Sequence, residues 1–213
     1  MKPIPASGLY YPNKFIRIFL LSLEDVAGQN GVKAILNMAG QSNLIGNYPP
    51  DNMEGEFDFS HYSMINAALN DLYGSKGARI LSLRAGNAVF SESIGDLGNV
   101  LDTNSESYQS KSLEEKIEFG LALVRSVISG KKETSIPRTE DGCFLYSVQH
   151  CPVCWGRTTS APECFLTAGL LQAVVRWSTN GLDFPVTQVK AHSCGDATCD
   201  YVISTTPINA AEK

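Results

Sequence analysis

Residues 150–157 read HCPVCWGR, and the interpretation of the whole chain starts from the two cysteines in this segment. Cys151 and Cys154 can bind one metal ion, because a turn of this length lets both sulfurs point into one tetrahedral shell. Such a pair is a weak signal alone, but five of the six cysteines and two of the three histidines lie between His150 and Cys199. The clustering therefore favours a metal centre in this part of the chain.

Six side chains of this region are candidate metal ligands: Cys151, Cys154, Cys164, Cys194, Cys199 and His192. Thiolate-rich ligation favours zinc or an iron–sulfur cluster over ions that prefer oxygen ligands. His150 is either a further ligand or a polar residue at the end of a strand. Cys143 stands apart and is interpreted as a small buried hydrophobic residue, and His61 as a surface residue.

The composition is that of a folded globular protein, since 43% of the 213 residues are hydrophobic, 18% are charged and the formal net charge is −5. It lacks the basic clusters of proteins that bind nucleic acids or anionic membranes. The apolar run 15–23 is too short to span a bilayer, contains Arg17 and lacks a cleavage site, so we expect no signal peptide and a cytoplasmic location. Thiols stay reduced there, which favours metal binding or redox chemistry over disulfides.

Hydrophobic periodicity predicts a single domain over 1–213, mainly helical over 1–130 and strand-rich, with the cysteine cluster, over 131–207. This layout indicates an α+β fold. The predicted helices are 14–27, 32–39, 60–72, 78–92, 112–129 and 164–179, and the predicted strands are 133–140, 144–149, 184–192 and 198–204. Residues 1–12 are a predicted extended arm, and 47–52 and 95–111 are predicted loops.

Polar side chains mark three of the predicted helix starts. Asn13 and Ser60 are candidate N-caps, because short polar side chains can accept hydrogen bonds from the first turn of a helix. Ser112 and Glu115 form a capping box, in which each side chain satisfies the backbone amide of the other residue.

No catalytic constellation stands out, since the sequence has no G-x-S-x-G, phosphate-binding glycine loop or H-E-x-x-H motif. Dithiol exchange at the C-x-x-C pair is disfavoured, because residues 156–162 separate it from the next predicted helix. The aromatic and apolar residues of the first half are typical core residues. A helical layer over a small sheet can nevertheless leave an apolar pocket for a ligand.

Several segments together resemble the 4-vinyl reductase domain family. They are CPVCWGR at 151–157, CFLTAGLL at 164–171 and the closing GDATCDYVI at 195–203. The earlier LED at 23–25 and NYPP at 47–50 are similar to stand-alone members, so the likeness covers most of the chain.

This resemblance implies an α+β fold shared with haem-NO-binding sensor domains and small vesicle-tethering (TRAPP) subunits. In that fold a helical layer packs on a small antiparallel sheet, and many members are homodimers. The resemblance also implies that the protein binds a small hydrophobic molecule. Members include sensor domains of aromatic-responsive transcription activators and proteins linked to bacteriochlorophyll synthesis.

The resemblance further implies a zinc site, which this chain does not match completely. In the sensor members the ligands are a cysteine at a helix start, a glutamate, a cysteine and a final cysteine. The first and last correspond to Cys164 and Cys199, but the middle two fall on Gln188 and Ala191, which are poor or absent ligands. Two alternatives remain: Cys194 and His192 take over as ligands, with Cys151 and Cys154 helping, or the metal has been lost.

The favoured hypothesis is therefore a non-catalytic sensor or carrier that binds a small hydrophobic, aromatic or tetrapyrrole-like molecule and contains a cysteine-rich metal site. One alternative is an enzyme or assembly factor of tetrapyrrole or (bacterio)chlorophyll metabolism, with an iron–sulfur or redox-active cysteine centre. Another is a structural subunit of a larger complex. The expected partners are the small ligand, a second copy of the chain and a protein for signalling or assembly, with no nucleic acid and no membrane span.

Overall fold

The computed structural model describes residues 4–97, 103–129 and 135–208. The helices are α1 (Asn13–Met38), α2 (Phe59–Leu97), α3 (Glu106–Gln109), α4 (Leu113–Ser129) and α5 (Phe165–Ser178). The strands are β1 (Tyr10–Pro12), β2 (Gly55–Asp58), β3 (Phe144–Val148), β4 (Val186–Lys190) and β5 (Cys199–Ile203). A mainly helical first part and a strand-rich second part agree with the predicted α+β class.

The second part is built on a three-stranded antiparallel sheet in the order β3-β5-β4. In the middle of the sheet, Tyr201 pairs with Tyr146 on one side and with Gln188 on the other. Cys199, the first residue of β5, pairs with Val148, the last residue of β3. This register places Cys199 beside the turn that follows β3 and contains the C-x-x-C pair.

Helix α5 packs closely against α2. A methyl group added at Gly86 of α2 would collide with the backbone carbonyl oxygen of Leu166, and one added at Gly169 of α5 would collide with that of Leu83. The two backbones can approach this closely only because neither glycine has a side chain. The contact positions the first turn of α5, which follows Cys164.

Glycines interrupt both long helices where the sequence predicted separate helices. Gly28 in α1 has φ +72° and Gly74 in α2 has φ +66°, a left-handed conformation that glycine adopts readily. The segments on either side are helical, which confirms the predicted helices at 14–27, 32–39, 60–72 and 78–92.

Two of the predicted helix caps are wrong. The side chain of Asn13 does not cap α1. Its Nδ2 donates instead to Asn52 Oδ1 and Glu56 Oε2. At the start of α2 the acceptor is Asp58, the last residue of β2. Its side chain accepts from the backbone amide of Ser60 at 2.7 Å. An aspartate that ends a strand is a better placed acceptor than the serine inside the first turn.

The capping box that opens α4 is confirmed. The backbone amide of Ser112 donates to Glu115 Oε2 at 2.7 Å, and the amide of Glu115 donates to Ser112 Oγ at 3.3 Å. Both bonds satisfy amides that have no partner inside the helix.

The predicted arm and loops contain regular structure that the sequence did not indicate. Strand β1 lies in the predicted arm and pairs antiparallel with β2 in a second, two-stranded sheet. The predicted 95–111 loop contains the end of α2 and all of α3, and its residues 98–102 lie outside the described ranges. The strand predicted at 133–140 is wrong for residues 135–140, where the only strand-like pairing is an isolated bridge between Arg138 and Phe144. Residues 130–134 lie outside the described ranges.

None of the helices in the described ranges combines the length and hydropathy that a bilayer-spanning segment requires.

Candidate metal centre

Four cysteine sulfurs from distant parts of the second half converge in the structure. The Sγ atoms of Cys151, Cys154, Cys164 and Cys199 all lie within 4.8 Å of one another. Two of the separations are 3.5 Å, between Cys154 and Cys199, and 3.7 Å, between Cys151 and Cys164. Two pairs of this kind place four sulfurs around one central point.

Three elements bring these residues together. Cys151 and Cys154 lie on the turn after β3, and Cys164 is the residue that precedes α5. Cys199 begins β5, whose register against β3 fixes its position beside that turn. The site therefore links a turn, a helix start and a strand start.

The sulfur separations fit one tetrahedrally coordinated ion. With Zn–S bonds of about 2.3 Å, the edge of a regular tetrahedron of sulfurs is about 3.8 Å. The two close pairs, at 3.5 and 3.7 Å, are near this length. All four residues are at most 1% exposed, so a bound ion would be shielded from water.

The four thiols perturb one another strongly. Hydrogen bonds from the thiols of Cys151, Cys164 and Cys199 hold the pKa of Cys154 well below its ordinary value. The pKa of Cys151 is raised, first by its hydrogen bond with Cys154, then by those with Cys164 and Cys199, and then by burial. The thiolate of Cys154 is thus stabilised, whereas ionisation of Cys151 is opposed. Only a bound cation would favour four ionised sulfurs in so small a volume.

Backbone amides also contact the sulfurs. The amide of His192 donates to Cys199 Sγ at 3.4 Å, and a backbone hydrogen bond from Ser193 further lowers the pKa of Cys154. Both donors belong to the short 3-10 turn His192–Cys194. This turn therefore supports the negative charge of the sulfurs through its backbone.

Two of the six candidate ligands lie outside this group. Cys194 is exposed, and its sulfur is 3.6 Å from Thr159 Oγ1. The His192 ring contacts the backbone carbonyl of Gln149 through Nε2. Although both residues are close to the centre in sequence, neither side chain belongs to the group of converging ligand atoms. Sequence spacing alone could not separate them from the other four.

The remaining residues singled out in the sequence also lie apart from the four sulfurs. His150 and His61 are exposed, and the His61 ring packs edge-on against Phe57. Cys143 is half-buried rather than fully buried, and its amide donates to Thr139 Oγ1.

Gln188, which replaces the glutamate expected from the family resemblance, has another role. Its Oε1 accepts from the backbone amide of Cys164 at 2.8 Å, and its Nε2 donates to the carbonyl of Lys190. Ala191 is buried, and its amide donates to Asp196 Oδ2. Gln188 thus fixes the backbone of a clustered cysteine without offering an atom to the centre.

A partly buried ion pair that the sequence analysis missed closes the loop between Cys154 and Cys164. Arg157 and Glu163 are 2.8 Å apart, and their side chains are 9% and 19% exposed. Glu163 also accepts from Asn70 of α2 at 3.4 Å. The sequence did contain a signal for this ion pair, because residues of opposite charge lie near the two ends of a short loop flanked by cysteines.

Aromatic residues of the first part cover the cysteine-rich turn. Tyr11 stacks on Tyr62 with ring centroids 5.8 Å apart, and Phe59 packs edge-on against Trp155 at 6.4 Å. Burial, with a smaller contribution from Cys151, raises the pKa of Tyr11 to about 12. Both tyrosines are therefore neutral beside the sulfurs at physiological pH.

Comparisons with known proteins give matches at the level of structure. No protein-family model matches the chain, and no curated protein matches it significantly. A point variant of Tt H-NOX superposes with a TM-score of 0.54 at 11% identity, covering 95% of this chain and 99% of that chain. An H-NOX structure from work on haem distortion superposes with a TM-score of 0.53 at 12% identity, covering 95% of this chain and 99% of that chain. An H-NOX protein from S. oneidensis in its Fe(II)NO ligation state superposes with a TM-score of 0.50 at 13% identity, covering 88% of this chain and 97% of that chain.

The chain shares its fold with H-NOX proteins. This confirms the expected α+β arrangement of a helical layer on a small antiparallel sheet, similar to the haem-NO-binding fold. At such low identities the H-NOX likeness extends to the fold and not to the chemistry of the site.

The described residues do not fit a haem held by a histidine. Haem iron in proteins takes an axial ligand such as histidine, cysteine, methionine or tyrosine. Two of the three histidines, His61 and His150, are exposed, and His192 is engaged with a backbone carbonyl. The sulfur atoms of four of the six cysteines face one another. The donor set instead matches a single thiophilic ion.

Proposed function

We propose that this chain is a non-catalytic small-molecule-binding domain whose strand-rich part is held together by one zinc ion. The observation that carries the proposal is the convergence of four buried cysteine sulfurs within 4.8 Å. Four thiolates would fill the coordination shell of zinc, which is typical of structural sites, whereas catalytic zinc keeps one position open.

Zinc is favoured over an iron–sulfur cluster by the small size of the sulfur tetrahedron. A cluster places several irons and inorganic sulfides between its cysteines and needs its ligand sulfurs farther apart than a single ion does. The separations of 3.5 and 3.7 Å match two edges of a one-ion shell. When bound, zinc would supply cross-linking between Cys151, Cys154, Cys164 and Cys199 and no redox chemistry.

We further propose that the chain is a stand-alone member of the 4-vinyl reductase domain family with a rearranged metal site. Cys164 and Cys199 occupy the first and last ligand positions that the resemblance implies. Cys151 and Cys154 take the place of the two ligands that Gln188 and Ala191 cannot supply. The H-NOX fold, which the resemblance predicted, supports this assignment.

An open pocket between α2 and α5 is our candidate for the ligand site. It has a volume of about 560 Å³, and Phe90, Trp177 and Ala173 form its apolar wall while Asn87 and Arg176 form a polar edge. The rings of Phe90 and Trp177 meet edge-on at 5.9 Å. This lining suits a small aromatic molecule with one polar or anionic group.

Native mass spectrometry of protein purified without chelator tests this proposal. We expect one zinc ion per chain, and the same spectrum reports the subunit number and any co-purified small molecule. Alanine at Cys154 should abolish zinc binding, whereas serine at the exposed Cys194 should leave it unchanged. A wild-type protein that contains no metal, or a Cys154→Ala variant that retains it, would refute the metal site.

A further inference from the structure

Helix α1 and the segment that follows it form an open pocket of about 440 Å³. The kink at Gly28 redirects α1, and both halves of the helix contribute to the lining. Val32 and Leu36 of the second half are buried and, together with the half-buried Ile45, give the pocket an apolar wall. None of the residues that line it belongs to the cysteine centre or to the pocket between α2 and α5.

Two residues of opposite charge, Arg17 and Glu24, line this pocket, and the ion pairs found within the described ranges do not include one between them. Glu24 follows Arg17 by seven residues, so the two lie on one face of α1 with about 10.5 Å of helix between them. Each is held by the loop beside the pocket. Arg17 Nη1 donates to the carbonyl of Pro49 at 3.1 Å, and the Tyr48 hydroxyl donates to Glu24 Oε2 at 2.9 Å.

Both charged groups keep hydrogen-bonding capacity for a ligand. A guanidinium has five N–H donors, and in the described part of the chain Arg17 uses one of them, for Pro49. The Glu24 carboxylate has a second oxygen besides the one that binds Tyr48. Burial, followed by the hydrogen bond with Glu24 and by its charge, raises the pKa of Tyr48 to about 12. Tyr48 therefore remains a donor at physiological pH and keeps the carboxylate oriented.

We propose that this pocket binds a free α-amino acid with an aliphatic side chain. The carboxylate of the amino acid binds Arg17, its ammonium group binds Glu24, and its side chain packs against the apolar wall that contains Val32 and Leu36. The inference goes beyond the proposed function and does not depend on the zinc site.

The combination of charges selects a dipolar ligand over a simple ion. An anion is attracted by Arg17 and by the exposed Lys33, but it is repelled by the Glu24 carboxylate. A cation meets the reverse situation, with one attractive and two repulsive groups. Only a ligand that carries both charges satisfies Arg17 and Glu24 together.

The test compares three probes by isothermal titration calorimetry with the full chain. They are L-leucine, 4-methylpentanoate, which lacks only the ammonium group, and 3-methylbutylamine, which lacks only the carboxylate. We expect leucine to bind and each analogue to bind at least about tenfold more weakly, because each leaves one charged residue without its partner. An analogue that binds as tightly as leucine, or no leucine binding at millimolar concentration, would overturn the inference.

Variants of the two charged residues give the matched test. Arg17→Gln should weaken the binding of leucine and of 4-methylpentanoate. Glu24→Gln keeps an acceptor for Tyr48, and it should weaken leucine binding about tenfold without weakening 4-methylpentanoate binding. A general loss of structure would not produce this difference between two probes. Arg84→Gln and Glu140→Gln, at exposed positions outside the pocket, should bind leucine like the wild type.

A further variant shows where leucine binds. Arg176 is at the edge of the pocket between α2 and α5. If Arg176→Gln lost leucine binding while Arg17→Gln kept it, the amino acid would bind between α2 and α5, and the inference would be overturned. An equal loss of both probes in Glu24→Gln would also overturn it.

The zinc content of each sample separates this inference from the proposed function. Zinc-bound protein that does not bind leucine refutes only the amino-acid site. Zinc-free wild-type protein that binds leucine, with the expected loss in Arg17→Gln and Glu24→Gln, refutes only the metal site.

Discussion

The sulfur atoms of Cys154 and Cys199 lie 3.5 Å apart although 45 residues separate them along the chain. One sulfur follows β3 and the other begins β5, so their contact depends on the antiparallel pairing of these strands. An ion bound between them would close a long loop and restrict the unfolded chain. Its effect on stability should therefore be large.

Removal of the metal should lower the melting temperature. A covalent link closing a loop of this length stabilises a protein by about 4 kcal/mol, and we expect a similar loss when a strong chelator removes zinc from the centre. In a protein of this size that corresponds to a fall of roughly 10 °C. Calorimetry with and without chelator measures it, with Cys194→Ser as a control that should respond like the wild type. Equal melting temperatures would show that no ion braces the fold.

Gln188→Ala should weaken zinc binding without abolishing it. Gln188 positions Cys164 by accepting from its backbone amide at 2.8 Å, and loss of such a supporting hydrogen bond typically lowers metal affinity about 10–100-fold. Competition with a chromogenic chelator measures the affinity. Thr187→Ala, at an exposed position of the same strand, is the control. Wild-type affinity in Gln188→Ala would mean that this hydrogen bond does not position the ligand.

Gly86→Ala should destabilise the fold, because the added methyl group meets the carbonyl oxygen of Leu166 and forces α2 and α5 apart. We expect a loss of about 2–3 kcal/mol, typical of overpacking against backbone. Urea unfolding measures the free energy. Ser75→Ala, at an exposed position of α2, should change it by less than about 0.5 kcal/mol. A Gly86→Ala protein as stable as the wild type would contradict the close helix crossing.

Asp58 should make the attachment of the N-terminal arm dependent on pH. Its carboxylate accepts from the amides of Ser7, Gly8 and Ser60. Burial of Asp58 opposes ionisation, but hydrogen bonds from Ser60 and Ser7 outweigh it and hold the pKa of Asp58 well below its usual range. Because the folded-state pKa is depressed, the stabilisation is complete above the unfolded pKa of about 4 and is lost as the pH falls towards the folded value.

Asp58→Asn tests this dependence. At pH 7 we expect the variant to be less stable than the wild type by about 2 kcal/mol, because a charged acceptor is lost from buried hydrogen bonds. The difference should shrink as the pH falls below about 4. Asp51→Asn, which removes an exposed carboxylate 4.0 Å from Lys14, is the control and should show little effect. A stability difference that stays constant between pH 7 and pH 3 would contradict the assignment.

The sequence predicted the elements whose patterns are long or whose signals are local. The helices on either side of Gly28 and Gly74 follow from apolar periodicity, and the capping box of Ser112 and Glu115 was correct in both hydrogen bonds. Strand β1 has only three residues and ends at Pro12, so neither alternation nor composition marked it. Its pairing with β2 depends on tertiary contacts.

The candidate site was only partly predictable for a geometric reason. All four converging cysteines were among the six candidates, but the direction of a side chain on a tight turn is not encoded in spacing. The turn His192–Cys194 points its amides towards the sulfurs and leaves the Cys194 thiol exposed. The role of Gln188 depends on the pairing of β4 beside β5, which the sequence pattern does not specify.

X-ray absorption at the zinc edge tests the central claim most directly, because it reports the atoms bound to the ion. The account predicts one zinc per chain with four sulfur neighbours at about 2.3 Å and no nitrogen or oxygen ligand. Replacement of Cys194 by serine should leave the spectrum unchanged. A shell that contains nitrogen or oxygen, or a protein that takes up no zinc, would contradict the four-cysteine centre.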